Sequence, residues 1–162
     1  MSPRQTKDPV VRLIVPLGHR LLAADRVEKE IALAFFVPVI LYMNNAVGTQ
    51  TQTIFVRRSA FDKVNLKKYL FLEFKTAVVI GTVISILTTV FEKIWFKEGG
   101  IGLIVGFSMF LGILTSIFIG ILIPSFLEKI GKDPAIGSGP FATIIQDVAS
   151  ILIYFSIASA LL

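Results

Sequence analysis

Cysteine is absent from this 162-residue chain, and charged residues make up only 17% of it. Without cysteine, disulfide bonds and thiolate-bound metal sites are excluded. The single histidine, His19, supplies neither a histidine metal cluster nor a Ser–His catalytic pair. A glycine-rich phosphate-binding loop is missing as well. We therefore expect no enzyme.

What the chain has in quantity is apolar side chains, at 54% of residues and a mean hydropathy of +0.80. In soluble domains, charged residues alone reach about a quarter of the total. The composition predicts an all-α, polytopic helical bundle in a lipid bilayer, with one membrane domain. The net charge of +5 reflects basic residues in the predicted loops of such a protein, so it predicts topology and not nucleic-acid binding.

The first thirty residues differ from the rest. Residues 10–24 are apolar but are interrupted by Arg12, Pro16 and Arg20, and they are shorter than the span of about 20 residues that a bilayer needs. They lack the clean apolar core of a signal peptide. We expect residues 1–30 to form a basic tail with a short interfacial helix or an incomplete first span.

Long uncharged runs beyond residue 30 predict four transmembrane helices, at residues 31–56, 76–91, 100–127 and 134–162. We expect the second of them to extend upstream through the YLFLEF run, residues 69–74. Residues 57–75 hold six basic and two acidic side chains, so we predict a cytoplasmic loop there. Counting spans from this loop places the C-terminus outside the cell (inner or plasma) membrane. The Ser138-Gly139-Pro140 segment predicts the start of the last helix.

Small residues recur every fourth position in two of these spans. Such ladders let helices approach closely, and they favour packing over a binding site. The first comprises Ala77, Gly81, Ser85 and Thr89; the second comprises Ser108, Gly112, Ser116 and Gly120, preceded by Gly102 and Gly106.

Asp147 is the only charged residue after Asp133. A carboxylate within a membrane span costs at least about 2.5 kcal/mol on insertion scales, so it indicates a polar cavity, a proton relay or a cation path. A helix end at the membrane surface, or a protonated carboxyl, is the alternative. Thr143, Ser150 and Tyr154 lie four residues before it and three and seven after, which predicts one polar helix face.

A second polar stretch, residues 44–53, follows an apolar run that contains Pro38. It either exposes carbonyl and amide oxygens to a solute or is the interfacial end of a helix. Carboxylate, amide and carbonyl oxygens suit a hard cation, and Mg²⁺ keeps most of its water and needs few protein ligands. Since no internal repeat is visible, a two-fold pore requires a homodimer, in which two Asp147 side chains would hold one hydrated dication.

Two segments resemble the MgtE family of magnesium channels. DPAIGSGPFATIIQDV resembles the signature of that family's last helix, D-P-A-x-x-S-G-P-F-x-T-T-x-x-D. ALAFFVPVILYMNNAVGTQTQTIFVRR resembles its second helix, where a proline-containing apolar run leads into M-G-G-N-x-G-x-Q. The resemblance covers residues 31–162.

The resemblance implies a homodimer with five helices per protomer, a pore at the dimer interface and a cytoplasmic N-terminal side. The pore carboxylate would be Asp147, one turn after a backbone carbonyl at Thr143. The ion-facing carbonyls of the second helix would be at Asn45 and Gly48, with Asn44 beside them. Mg²⁺ would be the transported ion and could also be bound in the pore. The residues that shape these helices would be Pro38, Gly139 and Pro140.

Three departures accompany the resemblance. The family's cytoplasmic helical and CBS modules are not among these residues, so the resemblance is to the membrane domain and implies no closure by that region. The family's G-G-N reads Asn44-Asn45-Ala46 here, and residues 10–24 are a poor match to the long first helix. Two alternatives to a channel stay open: an exchanger coupled to Na⁺ or H⁺, and a non-conducting membrane partner.

Overall fold

The computed structural model describes residues 9–96 and 101–161, with side-chain surroundings for 31–95, 101–136 and 138–161. These residues form four helices: α1 (Pro9–Phe61), α2 (Leu66–Phe96), α3 (Ile101–Lys129) and α4 (Pro134–Leu161). No strand occurs within them. All four helices contain a stretch long and apolar enough to cross a membrane. The prediction of an all-α membrane bundle is confirmed.

Residue contacts divide the chain into two units, Met1–Phe35 and Phe36–Leu162. The first unit is helical from Pro9, including the charged residues 25–30. The interfacial position predicted for residues 10–24 depends on side chains outside the described part. All packing discussed below belongs to the second unit.

The connections are shorter than the charge pattern predicts. The loop predicted at residues 57–75 is only residues 62–65, because α1 continues to Phe61 and α2 begins at Leu66. Lysine and arginine are good helix formers, and their long side chains reach water from a helix end, so basic residues did not end either helix. Similarly, α2 continues to Phe96, beyond the end of the span predicted at residues 76–91. Residues 97–99 lie outside the described part.

Helix α4 begins one turn before the predicted start at Ser138-Gly139-Pro140. The Asp133 side chain accepts a hydrogen bond of 2.8 Å from the Ala135 amide, and Pro134 occupies the first helical position, where its missing N–H is not needed. Pro140 lies inside the helix. Just before this, Gly131 ends α3 with a φ of 72°, a left-handed conformation that glycine adopts without steric cost.

Helix α3 is the centre of the second unit, with fifteen of its 29 residues buried. Along one face it packs on α2, as the first small-residue ladder predicts. The Ser85 hydroxyl donates to the Gly106 carbonyl at 2.7 Å, and the Thr89 hydroxyl donates to the Gly102 carbonyl at 3.0 Å. We call this contact the α2–α3 seam. Glu92, near its end, is fully buried beside Gly102.

Candidate functional site

The buried face of α4 is a four-residue ladder that runs from Ser138 to Ala158. Because four residues turn a helix by about 40° more than one full turn, this contact line winds around α4. The polar face predicted from Thr143 to Tyr154 runs along the axis and crosses that line. As a result, Ser150 and Tyr154 are buried, Asp147 is half-buried and Thr143 is exposed.

The ladder on α4 meets a second four-residue ladder on α1, formed by Asn44, Gly48 and Gln52. All three are buried. The two helices are antiparallel here, so their residues pair in reverse order. We call the resulting contact the α1–α4 seam.

Three polar layers make up the α1–α4 seam. The Asn44 amide donates to the Ser150 hydroxyl at 2.9 Å. The side-chain amide of Gln146 lies against Gly48, where an added Cβ would be 2.5 Å from its nitrogen. The Gln52 amide donates to the Ser138 hydroxyl at 2.6 Å. The two hydrogen bonds between side chains fix how the residues of α1 align with those of α4.

Helix α3 closes the back of the seam with its second small-residue ladder. The Asn44 amide occupies the space that Gly112 leaves open, and the Gly48 carbonyl would be 2.6 Å from a Cβ at Gly120. The Gln146 amide also lies 3.5 Å from the Ser116 carbonyl. The packing role predicted for this ladder is therefore confirmed.

Asp147 lies at the edge of the seam, where one carboxylate oxygen accepts a hydrogen bond of 2.5 Å from the Asn45 amide. It is the only charged residue in α4. The donor, Asn45, directly follows Asn44 in the chain. Successive residues of an α-helix point about 100° apart. Thus Asn44 faces the interior while Asn45 reaches the outer edge.

Beside Asn45, the outer face of α1 carries exposed polar side chains in the middle of an apolar helix. Thr49, Gln50 and Thr53 are exposed, and together with Asn45 they line an open concavity of about 600 Å³. The Thr53 hydroxyl donates to the Thr49 carbonyl at 2.9 Å. On α4, the exposed Thr143 donates in the same way to the Gly139 carbonyl at 3.1 Å.

Several buried oxygens around this site accept no hydrogen bond from the part of the chain that the structure describes. They are the side-chain carbonyl oxygens of Asn44, Asn45 and Gln146. Residues 31–95, 101–136 and 138–161 contain no cluster of three histidine, cysteine or acidic residues. What the site offers to a ligand is one carboxylate and neutral oxygens, a donor set for a hard cation that keeps much of its water.

The structure brings Asn45 and Asp147 together and turns Asn44 and Gly48 inward to the packed seam. Pro38 is an exposed residue within α1, and Gly139 has open space around its Cα. Our reading of the sequence missed Gln146, Gln52 and Ser138. The signal that could have found them is the four-residue spacing of polar residues on both helices, which matches the ladders recognised in α2 and α3.

These features define a polytopic α-helical membrane protein with a carboxylate at the edge of a polar seam between two of its helices. The profile of the MgtE family, described as "Divalent cation transporter", matches residues 37–157. The chain belongs to this family.

Curated relatives agree with the family assignment. The chain is 37% identical to the magnesium transporter MgtE of Bacillus subtilis over 84% of its own length and 31% of the relative's. It is 35% identical to that of Enterococcus faecalis, over 78% of this chain and 29% of that protein. It is 33% identical to the magnesium transporter MgtE of Thermus thermophilus, over 81% of this chain and 30% of that protein. The chain spans about a third or less of the length of these relatives.

Proposed function

We propose that this chain passes Mg²⁺, or a related divalent cation, across a membrane through a pore lined by Asp147. The observation that carries the proposal is the Asn45–Asp147 pair. It puts the only carboxylate of α4 at the edge of a polar face, held by an amide, and in the part of the chain that the structure describes no cation pairs with it. An ionisable group kept inside a membrane span in this way is expected to serve an ion path.

The chemistry suits a hydrated dication. Asn45 holds one Asp147 oxygen, which leaves the other to accept hydrogen bonds from the water shell of an ion. One turn earlier, the Thr143 carbonyl would face the same side and offer a second lone pair beyond its helical hydrogen bond. The backbone oxygen at Asn45 would be a further ligand, whereas the Gly48 carbonyl lies against Gly120 of α3 and would not face the ion. Asn44 donates a hydrogen bond to Ser150, so it would hold α1 and α4 in position and would not contact the ion.

A second copy of the chain would complete the pore. The exposed polar face of α1, with Thr49, Gln50 and Thr53, is unfavourable against lipid tails, since these cannot satisfy polar groups. Facing another protomer across water removes that cost. Two Asp147 carboxylates would then balance the charge of one dication.

The proposed setting is the inner or plasma membrane. The loop at residues 62–65 contains one basic residue and lies between helix ends that carry five more, so it would be cytoplasmic. Helix α4 would then run outward and place the C-terminus outside. Lipid, Mg²⁺ and a second protomer are the proposed partners.

Mg²⁺ uptake into proteoliposomes tests the proposal. We expect Asp147→Ala to abolish uptake, and Glu128→Gln, which removes an exposed carboxylate at the end of α3, to leave it unchanged. Equal uptake by wild type and Asp147→Ala, or no uptake by either, would reject the pore and favour a non-conducting partner. Competition by Mn²⁺ and Ca²⁺ ranks the ions. Uptake that requires an imposed Na⁺ or H⁺ gradient would identify an exchanger.

A further inference from the structure

A pocket separate from the α1–α4 seam lies where α1 ends and α2 begins. It has a volume of about 380 Å³ and includes the connecting residues Asp62, Lys63 and Asn65 in its walls. Arg58 contributes from the last turn of α1, and Lys68 from the first turn of α2. Since both helices have span-length apolar segments that end at this connection, the pocket lies at the membrane surface.

The charge of the pocket favours an anion. Three of its side chains are cationic, Arg58, Lys63 and Lys68, and one is a carboxylate, Asp62. Within the described part of the chain, none of the three cations forms an ion pair. The pocket therefore presents unneutralised positive charge to its contents.

The start of α2 adds backbone donors to this charge. The Asn65 side chain accepts a hydrogen bond of 3.2 Å from the Lys68 amide, but the amides of Leu66 and Lys67 have no helical acceptor. The positive end of the helix dipole also favours an anion here. Such a combination of backbone N–H groups with basic side chains is typical of phosphate sites.

The pocket also has apolar walls. Tyr69, only 5% exposed, lines it, and the Arg58 guanidinium lies 5.7 Å from the centre of the Tyr69 ring. Leu72 also lines the pocket and is exposed, and its chain neighbour Phe71, outside the lining, is exposed as well. A ligand that fits both parts carries an anionic group and an acyl chain.

We propose that this pocket binds the phosphate group of an anionic phospholipid, with the acyl chains along Leu72 and the outer face of α2. The proposal does not depend on the ion pathway. It assigns a ligand to residues for which the passage of cations gives no role.

Lipid binding to the full chain in detergent micelles tests the proposal, with native mass spectrometry used to titrate bound phosphatidylglycerol against phosphatidylcholine. The pocket variant is Lys63→Gln/Lys68→Gln. The matched control is Arg57→Gln/Lys67→Gln, which removes two cations from the same connection but from exposed positions outside the pocket. We expect the pocket variant to weaken phosphatidylglycerol binding about tenfold or more, and the control less than about threefold.

Two results would overturn the proposal. Equal weakening by both double variants would show that lipid is attracted to the basic residues in general and not to the pocket. Equal binding of phosphatidylglycerol and phosphatidylcholine by the wild type would show that the pocket does not select an anionic phospholipid. Inorganic phosphate in a parallel titration distinguishes the source, because displacement of the lipid by millimolar phosphate would reassign the pocket to the free anion. The single variant Lys63→Gln, at an exposed loop position, repeats the test if the double variant folds poorly.

Discussion

Two seams meet at α3, and each is built on a different ladder of small residues. In the α2–α3 seam, the Ser85 and Thr89 hydroxyls donate to backbone carbonyls of α3. In the α1–α4 seam, amides and hydroxyls bond to one another, and side-chain carbonyl oxygens remain without partners in the described part of the chain. Buried oxygens without partners occur in both seams, because the two carboxylate oxygens of Glu92 also accept no hydrogen bond from the described residues. What distinguishes the α1–α4 seam is its hydrogen bonds between side chains and the Asp147 carboxylate at its edge.

The difference also appears in what faces outward. Helix α2 presents apolar side chains to its surroundings, among them Val79, Val83, Ile86 and Leu87. Helices α1 and α4 present Thr49, Gln50 and Thr143 beside the half-buried Asp147. One side of the bundle is therefore suited to lipid, and the other to water or a second protomer.

The largest effect is expected where the backbone itself blocks a side chain. Gly120→Ala would place a Cβ 2.6 Å from the Gly48 carbonyl, and a backbone atom cannot move without separating α1 from α3. We expect a loss of about 1–3 kcal/mol of stability or more, seen as a lower melting temperature by circular dichroism in detergent, and loss of Mg²⁺ uptake.

Two other glycines serve as comparisons for Gly120→Ala. Gly106→Ala meets Thr89 and the Ser85 carbonyl in the α2–α3 seam, so it should lower stability similarly. Gly139→Ala meets no atom within 4 Å and should be neutral or stabilising by up to about 1 kcal/mol, as alanine is the better helix former. A melting temperature of Gly120→Ala equal to that of the wild type would contradict the close approach of α1 and α3 at Gly48 and Gly120.

An intermediate effect separates the two seams by function. Asn45→Ala removes the amide that holds Asp147, so we expect Mg²⁺ uptake per folded protein to fall about tenfold, as for loss of a hydrogen bond to a charged group. Ser85→Ala removes one packing hydrogen bond and should cost about 1 kcal/mol of stability, with uptake within about twofold of wild type. If Ser85→Ala reduces uptake as strongly as Asn45→Ala, the functional distinction between the seams is wrong.

The sequence predicted the four spans, the two ladders and the isolated carboxylate, because hydropathy and four-residue spacing are local properties. It misplaced the loop at residues 57–75, since charge alone does not end a helix. It also could not separate Asn44 from Asn45. Which of two adjacent amides turns inward depends on the azimuth of α1 against α3 and α4, and Gly112 sets that azimuth by making room for Asn44.

The smallest effect is expected at Thr143. Its hydroxyl donates to the Gly139 carbonyl within α4, so the group proposed to face the ion is the Thr143 backbone carbonyl. Thr143→Val keeps the carbonyl and the side-chain shape and removes only the hydroxyl. We expect Mg²⁺ uptake within about twofold of wild type, since hard cations are commonly held by backbone oxygens. A tenfold fall with an unchanged melting temperature would instead assign the hydroxyl to the water shell of the ion, and would move the proposed ligand from the backbone to the side chain.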